Sequence, residues 1–228
     1  MTGDVVLELK NVTVSYRVKS GAFRWAKYTP LQEANLQLRR GETVGVIGRN
    51  GAGKSTLLRL LAGIILPDSG AVINNNVRVS LLALGVGFLP HLTGRENSIL
   101  SGMLMGLRRM EIIARMDRIV EFSDLGDFID RPLHTYSSGM RARLGFSTAI
   151  QVDPDVLLVD EILGVGDEDF RKRSSAEMKR LIRSEKTVVL VSHSAPVIKE
   201  LCSVGVWVND GLVTVYDSVD EAFSDYHK

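Results

Sequence analysis

Apolar positions along this chain recur with two periods, and the switch between them marks out the elements. Residues 5–9 and 12–16 alternate apolar with polar, as half-buried strands do, and Ala34, Leu36 and Leu38 mark a further strand before a turn at Arg40-Gly41-Glu42. Residues 43–47, 156–160 and 187–192 are strand-length stretches apolar in all but their end residues, the pattern of strands covered on both faces. Pro67-Asp68-Ser69-Gly70 turns the chain into a strand at 71–74. From about 85 to 152 the period lengthens to that of helices, over 95–107, 109–122 and a run after Tyr136. Beyond it, a polar helix is expected near 169–185 and an apolar one over 197–202. Strands 204–209 and 211–216 are expected to pair across Asp210-Gly211, and a helix over 217–226 closes the chain. The pattern predicts one α/β domain over 1–228: a core from 1–84 and 153–228, and an inserted helical subdomain over about 85–152.

The candidate chemistry sits where two of the buried runs end. Gly48-Arg49-Asn50-Gly51-Ala52-Gly53-Lys54-Ser55-Thr56 fits the phosphate-loop pattern G-x-x-x-x-G-K-[ST], between a predicted strand and a predicted helix. Glycines let backbone N–H groups curl around phosphate oxygens, and the helix start adds partial positive charge. Lys54 is expected to reach the β- and γ-phosphates and Ser55 to take a Mg²⁺ position. The run 156–160 ends in Asp160 followed by Glu161, at the carboxyl edge where open α/β sheets place ligands. Asp160 suits the Mg²⁺ shell, directly or through water, and Glu161 suits an attacking water. Tyr136-Ser137-Ser138-Gly139-Met140 opens a helix that Ser137 or Ser138 can cap, and Ala142, Gly145 and Ala149 permit close packing. On composition alone this is an ordinary capped helix.

With the phosphate loop in place, the segment resembles the signature motif of ATP-binding-cassette (ABC) proteins, lying just upstream of the Asp-Glu strand. His193, after residues 188–192, resembles that family's switch histidine, and Gly164-Val165-Gly166-Asp167 its D-loop. The resemblance covers nearly the whole chain. It implies a P-loop NTPase of ABC type: a RecA-like core, an N-terminal antiparallel β-subdomain and an inserted helical subdomain. It also implies catalysis by Glu161, His193 and Lys54 with ATP and Mg²⁺. Nucleotide is then held by Tyr16, Gly48, Asn50, Gly51, Ala52, Gly53, Lys54, Ser55 and Thr56, with Ser137, Ser138, Gly139 and Asp167 acting in trans across a head-to-tail homodimer. Tyr16 either stacks on the adenine or packs on its sheet. The spellings Tyr-Ser-Ser-Gly-Met, Asp-Glu-x-Leu-x-Val-Gly-Asp and Leu92 to Asn97 (Leu-Thr-Gly-Arg-Glu-Asn) look like the branch that exports O-antigen, capsule, teichoic acid and galactan. That branch implies two integral membrane permease subunits, a lipid-linked polysaccharide cargo and a peripheral place on the cytoplasmic face of the bacterial inner membrane.

Two departures from the family pattern stand out. Residues 81–90 contain no amide or carboxylate, where the family has a Gln near the position of Leu84. Met140 and Ser138 replace the usual Gln and Gly of the signature. The rival within the family is a soluble, non-transport cassette ATPase, but the fused second cassette or long coiled coil common there is absent from this sequence. A GTPase is disfavoured because its N-K-x-D base-reading motif is missing.

Composition adds exclusions. With 28 basic and 27 acidic residues the chain has no nucleic-acid-style excess. The single Cys202 is expected as a small buried residue. Asp4 and Glu8 argue against a secretory leader, and the C-terminal carbohydrate-binding domain that some members of the resembled family add is not expected here. The longest apolar run, 81–89, is far below the ~20 residues of a membrane helix. Two segments remain. Residues 17–30 read as a hairpin loop carrying four basic and three aromatic residues and no acid, suited either to a membrane or lipid-linked substrate or to solvent. In 81–92, Gly85, Val86, Gly87 and Phe88 are the candidate docking surface for a membrane partner.

Overall fold

A computed structural model describes residues 3–19, 25–161 and 166–226. Its first elements are β1 (Val5–Lys19), β2 (Trp25–Arg39), β3 (Thr43–Ile47), α1 (Lys54–Leu61), β4 (Ser69–Asn74) and β5 (Val79–Leu82). Next come α2 (Gly94–Leu104), α3 (Arg109–Ala114), α4 (Met116–Ser123), single-turn helices at Gly126–Asp130 and Leu133–Thr135, and α5 (Ser138–Ala149). The chain continues with β6 (Val156–Asp160), α6 (Glu168–Ile182), β7 (Thr187–Val191), α7 (Ala195–Leu201), β8 (Val204–Asn209), β9 (Leu212–Tyr216) and α8 (Val219–Tyr226). Two compact units result: residues 1–81, 155–161 and 182–228 in the first, residues 82–154 and 162–181 in the second.

The first unit holds two sheets. In the six-stranded one, ordered β5-β6-β7-β3-β8-β9, the strands β6, β7, β3 and β8 run parallel and β9 returns antiparallel to β8. β7 is buried along its whole length, and β3 and β6 along all but one residue, as expected of runs with no polar face. Val46 and Asp160 both pair with Val191, so the last residues of β3, β6 and β7 lie in one row. Parallel strands share a carboxyl edge, which brings the segments after Ile47, Asp160 and Val191 to one place. Cys202 lies against Gly45, and burial pushes its thiol up to about 12, which leaves it inert.

The second sheet is antiparallel, ordered β2-β1-β4. Here the structure differs from the expected pair of short strands and a long loop. β1 runs unbroken to Lys19 and β2 begins at Trp25, so most of 17–30 is paired strand, and Ser20 to Arg24 lie outside the described residues. The polar interruption at Asn11 is absorbed in place: Asn11 adopts a φ of 48°, the register shifts between Leu9 and Val12, and Asn11 and Asn35 exchange hydrogen bonds at 3.0 Å. Beyond it, Tyr16 faces Tyr28 and Val18 faces Ala26, and these pairs carry the ladder onward.

The second unit is helical. Thr93 caps α2 through a reciprocal box with Glu96, and the chain leaves the helix at Gly106, with a φ of 98°. The expected helix over 109–122 is two: Arg115 leaves helical geometry between α3 and α4, and its guanidinium donates to the Gln151 carbonyl. Ile112, Ile119, Leu133 and Leu144 form the core, and Phe122, Phe146 and Phe170 form an aromatic cluster, with Phe170 set edge-on to both others. Gly145 lets α5 lie on the turn after β5, because a Cβ there would stand 2.9 Å from the Gly85 nitrogen. Since backbone must give way, Gly145→Ala is expected to destabilise this unit by about 1–3 kcal/mol, read as a lower thermal midpoint. An unchanged midpoint would refute that close approach.

Candidate nucleotide-binding site

The loop between β3 and α1 is wedged between neighbours that admit no side chain. A Cβ on Gly53, whose φ is 113°, would lie 2.3 Å from the Pro30 carbonyl, and one on Gly48 would lie 2.3 Å from the Val208 carbonyl. α1 then starts at Lys54 without a side-chain cap, leaving its first N–H groups for a ligand. Lys54 is nearly buried, and its Nζ donates to the Gly48 carbonyl at 2.8 Å and the Arg49 carbonyl at 3.0 Å. Burial lowers its pKa, against which the charge of Asp160 works.

Two side-chain pairs meet at the shared carboxyl edge. Ser55 Oγ donates to Asp160 Oδ2 at 2.9 Å. Neighbouring ligands of an octahedral Mg²⁺ at its usual bond length stand about 2.9 Å apart, so these two hard oxygens fit that ion's shell. Glu161 sits in the left-handed region with a φ of 59°, its N–H bonded to the Val191 carbonyl at 3.0 Å. Such a conformation is costly for a non-glycine residue and tends to mark functional sites. It turns the carboxylate to His193, with Oε1 2.5 Å from Nε2. Asn50, Gly51, Gly53, Lys54, Ser55, Thr56, Asp160, Glu161 and His193 thus line one open recess of about 270 Å³. That is below the ~300–1,000 Å³ of pockets that enclose a whole small molecule, and it suits a phosphate tail.

Tyr28 also lines this recess, and its hydroxyl donates to the Gly51 carbonyl in the phosphate loop. In the sequence Tyr28 reads only as one of three aromatics in residues 17–30. The available signal was the pairing that places Tyr28 across from Tyr16 once both strands are extended. Tyr16 itself is half-buried against the core of the first unit and does not line the recess.

The signature-like segment belongs to the second unit. Ser137 caps α5, its Oγ accepting from the Met140 N–H at 3.1 Å, while Ser138 begins the helix. Ser137 and Ser138 are exposed, no acid occupies the first turn, and a Cβ on Gly139 would have the Ser137 hydroxyl 3.8 Å away, at ordinary contact distance. Tyr136 anchors the segment from below: buried, it donates to the Phe128 carbonyl at 2.5 Å, and desolvation pushes its phenol up to about 12. Asp167 accepts from the Phe170 N–H at 3.0 Å at the start of α6 and lies 3.8 Å from Arg143, and both contacts lower its pKa. Gly164 and Val165 lie outside the described residues.

Residues 84–87 form a turn. Phe88, expected on a docking surface, is instead half-buried against the core of the second unit. The exposed apolar side chains nearby are Leu89, Met103 and Leu104, the last lying against Gly87.

Among the described residues, no helix is long and apolar enough to cross a membrane.

A family profile described as ABC transporter matches residues 31–164. The O-antigen export system ATP-binding protein RfbB of Myxococcus xanthus is 43% identical over 96% of this chain and 55% of its own length. A Klebsiella pneumoniae protein of the same name is 46% identical over 81% of this chain and 75% of its own. The teichoic acids export ATP-binding protein TagH of Lactococcus lactis is 45% identical over 87% of this chain and 42% of its own. The chain thus spans about half the length of the Myxococcus relative. Among solved structures, a dimeric ATP-binding cassette in a post-hydrolysis state bound to ADP and Pi superposes with a TM-score of 0.73 at 23% identity. The alignment covers 93% of this chain and 98% of that one, which establishes the α/β cassette fold. By its matching profile and by relatives of this identity, the chain belongs to the ABC transporter family.

Proposed function

We propose that this chain is the ATP-hydrolysing subunit of a bacterial ABC exporter that moves a lipid-linked polysaccharide across the cytoplasmic membrane. The supporting observation is the convergence of the Ser55–Asp160 and Glu161–His193 pairs on the loop that carries Lys54. ATP enters with its phosphates against the N–H groups of the loop and of α1. Lys54 then exchanges the carbonyls of Gly48 and Arg49 for phosphate oxygens. Magnesium, when bound through Ser55 and Asp160, neutralises phosphate charge. Glu161 takes the proton of the attacking water as its oxygen bonds to the γ-phosphorus and the bond to the leaving ADP oxygen breaks. His193 orients Glu161 and contacts the γ-phosphate region.

The recess is open, and the signature residues of the second unit complete it in trans: Ser137, Ser138 and Gly139 of one copy cover the phosphates bound by another. Asp167 bridges the two copies with whatever capacity its capping bond leaves free. The adenine is served by Tyr16. Two permease subunits dock at Gly85–Gly87 and the exposed Leu89, Met103 and Leu104, which holds the ATPase pair at the cytoplasmic face of the membrane. Phe88 is half-buried on the core of the second unit, so a charge introduced there would perturb the fold as well as the surface.

The fraction of ATPase subunit recovered with its co-expressed, affinity-tagged permease tests this assignment. Recovery of both proteins in equal amounts, reduced by Leu104→Glu, is expected; recovery of the permease alone would overturn it. Tyr28→Phe removes one hydrogen bond from the phosphate loop. A bond worth about 0.5–1.5 kcal/mol predicts a two- to tenfold rise in the Kd for ATP, measured by titration. Unchanged affinity would show that Tyr28 does not hold the loop for nucleotide.

A further inference from the structure

The outer end of the β1–β2 pair, residues 16–19 and 25–28, has two unlike faces. β4 pairs with β1 only between Leu7 and Thr13, so beyond Ser15 the hairpin continues as a two-stranded ribbon. In that ribbon Tyr16 faces Tyr28, Arg17 faces Lys27, Val18 faces Ala26 and Lys19 faces Trp25. Directly opposed residues share a face and successive residues alternate. One face therefore carries Tyr16, Val18, Ala26 and Tyr28, the last reaching the phosphate loop. The other carries Arg17, Lys19, Lys27 and Trp25.

This second face is unfavourable as it stands. Arg17 and Lys27 are like charges placed directly opposite, with Lys19 two residues along, and such pairing destabilises a ladder. A two-stranded ribbon has little stability in reserve to offset it. No ion pair to an acid forms at Arg17, Lys19 or Lys27 among the described residues, and Trp25 is 68% exposed. Arg17, Trp25 and Lys27, all on this face, line a common recess. Cations grouped around an exposed indole match an anionic lipid surface: the charges meet the head groups while the ring sits at the polar–apolar boundary.

We propose that this face of the hairpin is a contact surface for the anionic phospholipid membrane, made by the chain itself in addition to any permease. It does not depend on the nucleotide chemistry, because Tyr28, which lines the nucleotide recess, occupies the opposite face. Each cation near such a surface strengthens binding about fivefold, so three together contribute roughly a hundredfold. Attraction of this kind fades as salt shortens the Debye length from about 8 Å at physiological ionic strength to about 3 Å at 1 M.

The test is flotation of the purified chain with vesicles of phosphatidylcholine alone and of phosphatidylcholine with phosphatidylglycerol in equal parts. Binding to the phosphatidylglycerol vesicles only is expected, roughly a hundredfold weaker in the triple variant Arg17→Gln, Lys19→Gln, Lys27→Gln. That variant should keep wild-type ATP affinity and a thermal midpoint at or above that of the wild type, since the opposed Arg17 and Lys27 charges are gone. If it does not fold, the salt titration of the wild type still decides: binding must fall steeply towards 1 M salt. Trp25→Ala should weaken binding severalfold and leave its salt dependence in place. No binding, equal binding to neutral vesicles, or full binding by a folded triple variant would each overturn the proposal. So would binding that appears only when a polyprenyl diphosphate is added to neutral vesicles, since the partner would then be a phosphorylated substrate head group.

Discussion

Glu161→Gln is expected to slow ATP hydrolysis about a hundred- to ten-thousand-fold, the range a positioned general base supplies. ATP affinity should stay within severalfold of wild type. The amide has the shape of the carboxylate and can still bond to His193, so the local geometry, including the left-handed backbone at 161, can persist. What it loses is the capacity to take a proton from water. Binding rests on other groups, namely Lys54, Ser55 and the loop N–H donors. Binding without turnover then accumulates the ATP state. If two copies share each ATP, as proposed, the variant should form dimers with ATP that are absent with ADP. Phosphate release and light scattering measure the two consequences. A variant that hydrolyses ATP at the wild-type rate would remove Glu161 from the chemistry.

Lys54→Ala should instead abolish binding. The ammonium is nearly buried and holds two loop carbonyls at 2.8 and 3.0 Å, so it is already positioned over the site. In the proposed complex it bonds two phosphate oxygens. Hydrogen bonds to charged groups contribute about 1.5–3 kcal/mol each, so losing two should weaken ATP binding a hundredfold or more. Because the carbonyls of Gly48 and Arg49 also lose their donor, the thermal midpoint must be measured alongside a nucleotide titration. Lys54→Met, which keeps most of the stem, separates loss of charge from loss of packing. Both variants folded and both unable to bind is the expected result. Wild-type affinity in folded Lys54→Met would contradict the assignment of that ammonium to phosphate.

Much of the arrangement was legible because the chemistry sits at the ends of strongly patterned elements. The runs at 43–47, 156–160 and 187–191 announce buried parallel strands, and a parallel sheet sends all their carboxyl ends to one edge. Lys54, Asp160, Glu161 and His193 follow those ends in sequence, so their meeting needed only the sheet order. The left-handed backbone at Glu161, which aims it at His193, has no signature in the sequence, since glutamate carries no preference for it.

What was not legible depends on pairing between distant residues. The composition of 17–30 resembled a loop, and only the Tyr16–Tyr28 register turns most of it into strand and carries Tyr28 to Gly51. Phe88 stands in an apolar run that reads equally as core or as surface, and its burial follows from helices contributed by later sequence. The run 109–122 keeps one helical period throughout, so the break at Arg115 could not be seen before its bond to Gln151.

Hydrolysis by the reconstituted complex of this chain with its membrane partner tests the export reading most directly, measured with and without the partner and with and without magnesium. The account predicts turnover that requires magnesium, disappears in Glu161→Gln and changes when the partner is present. Magnesium-dependent turnover at one unchanged rate, with or without the partner, would contradict it and favour an ATPase that works apart from any transporter.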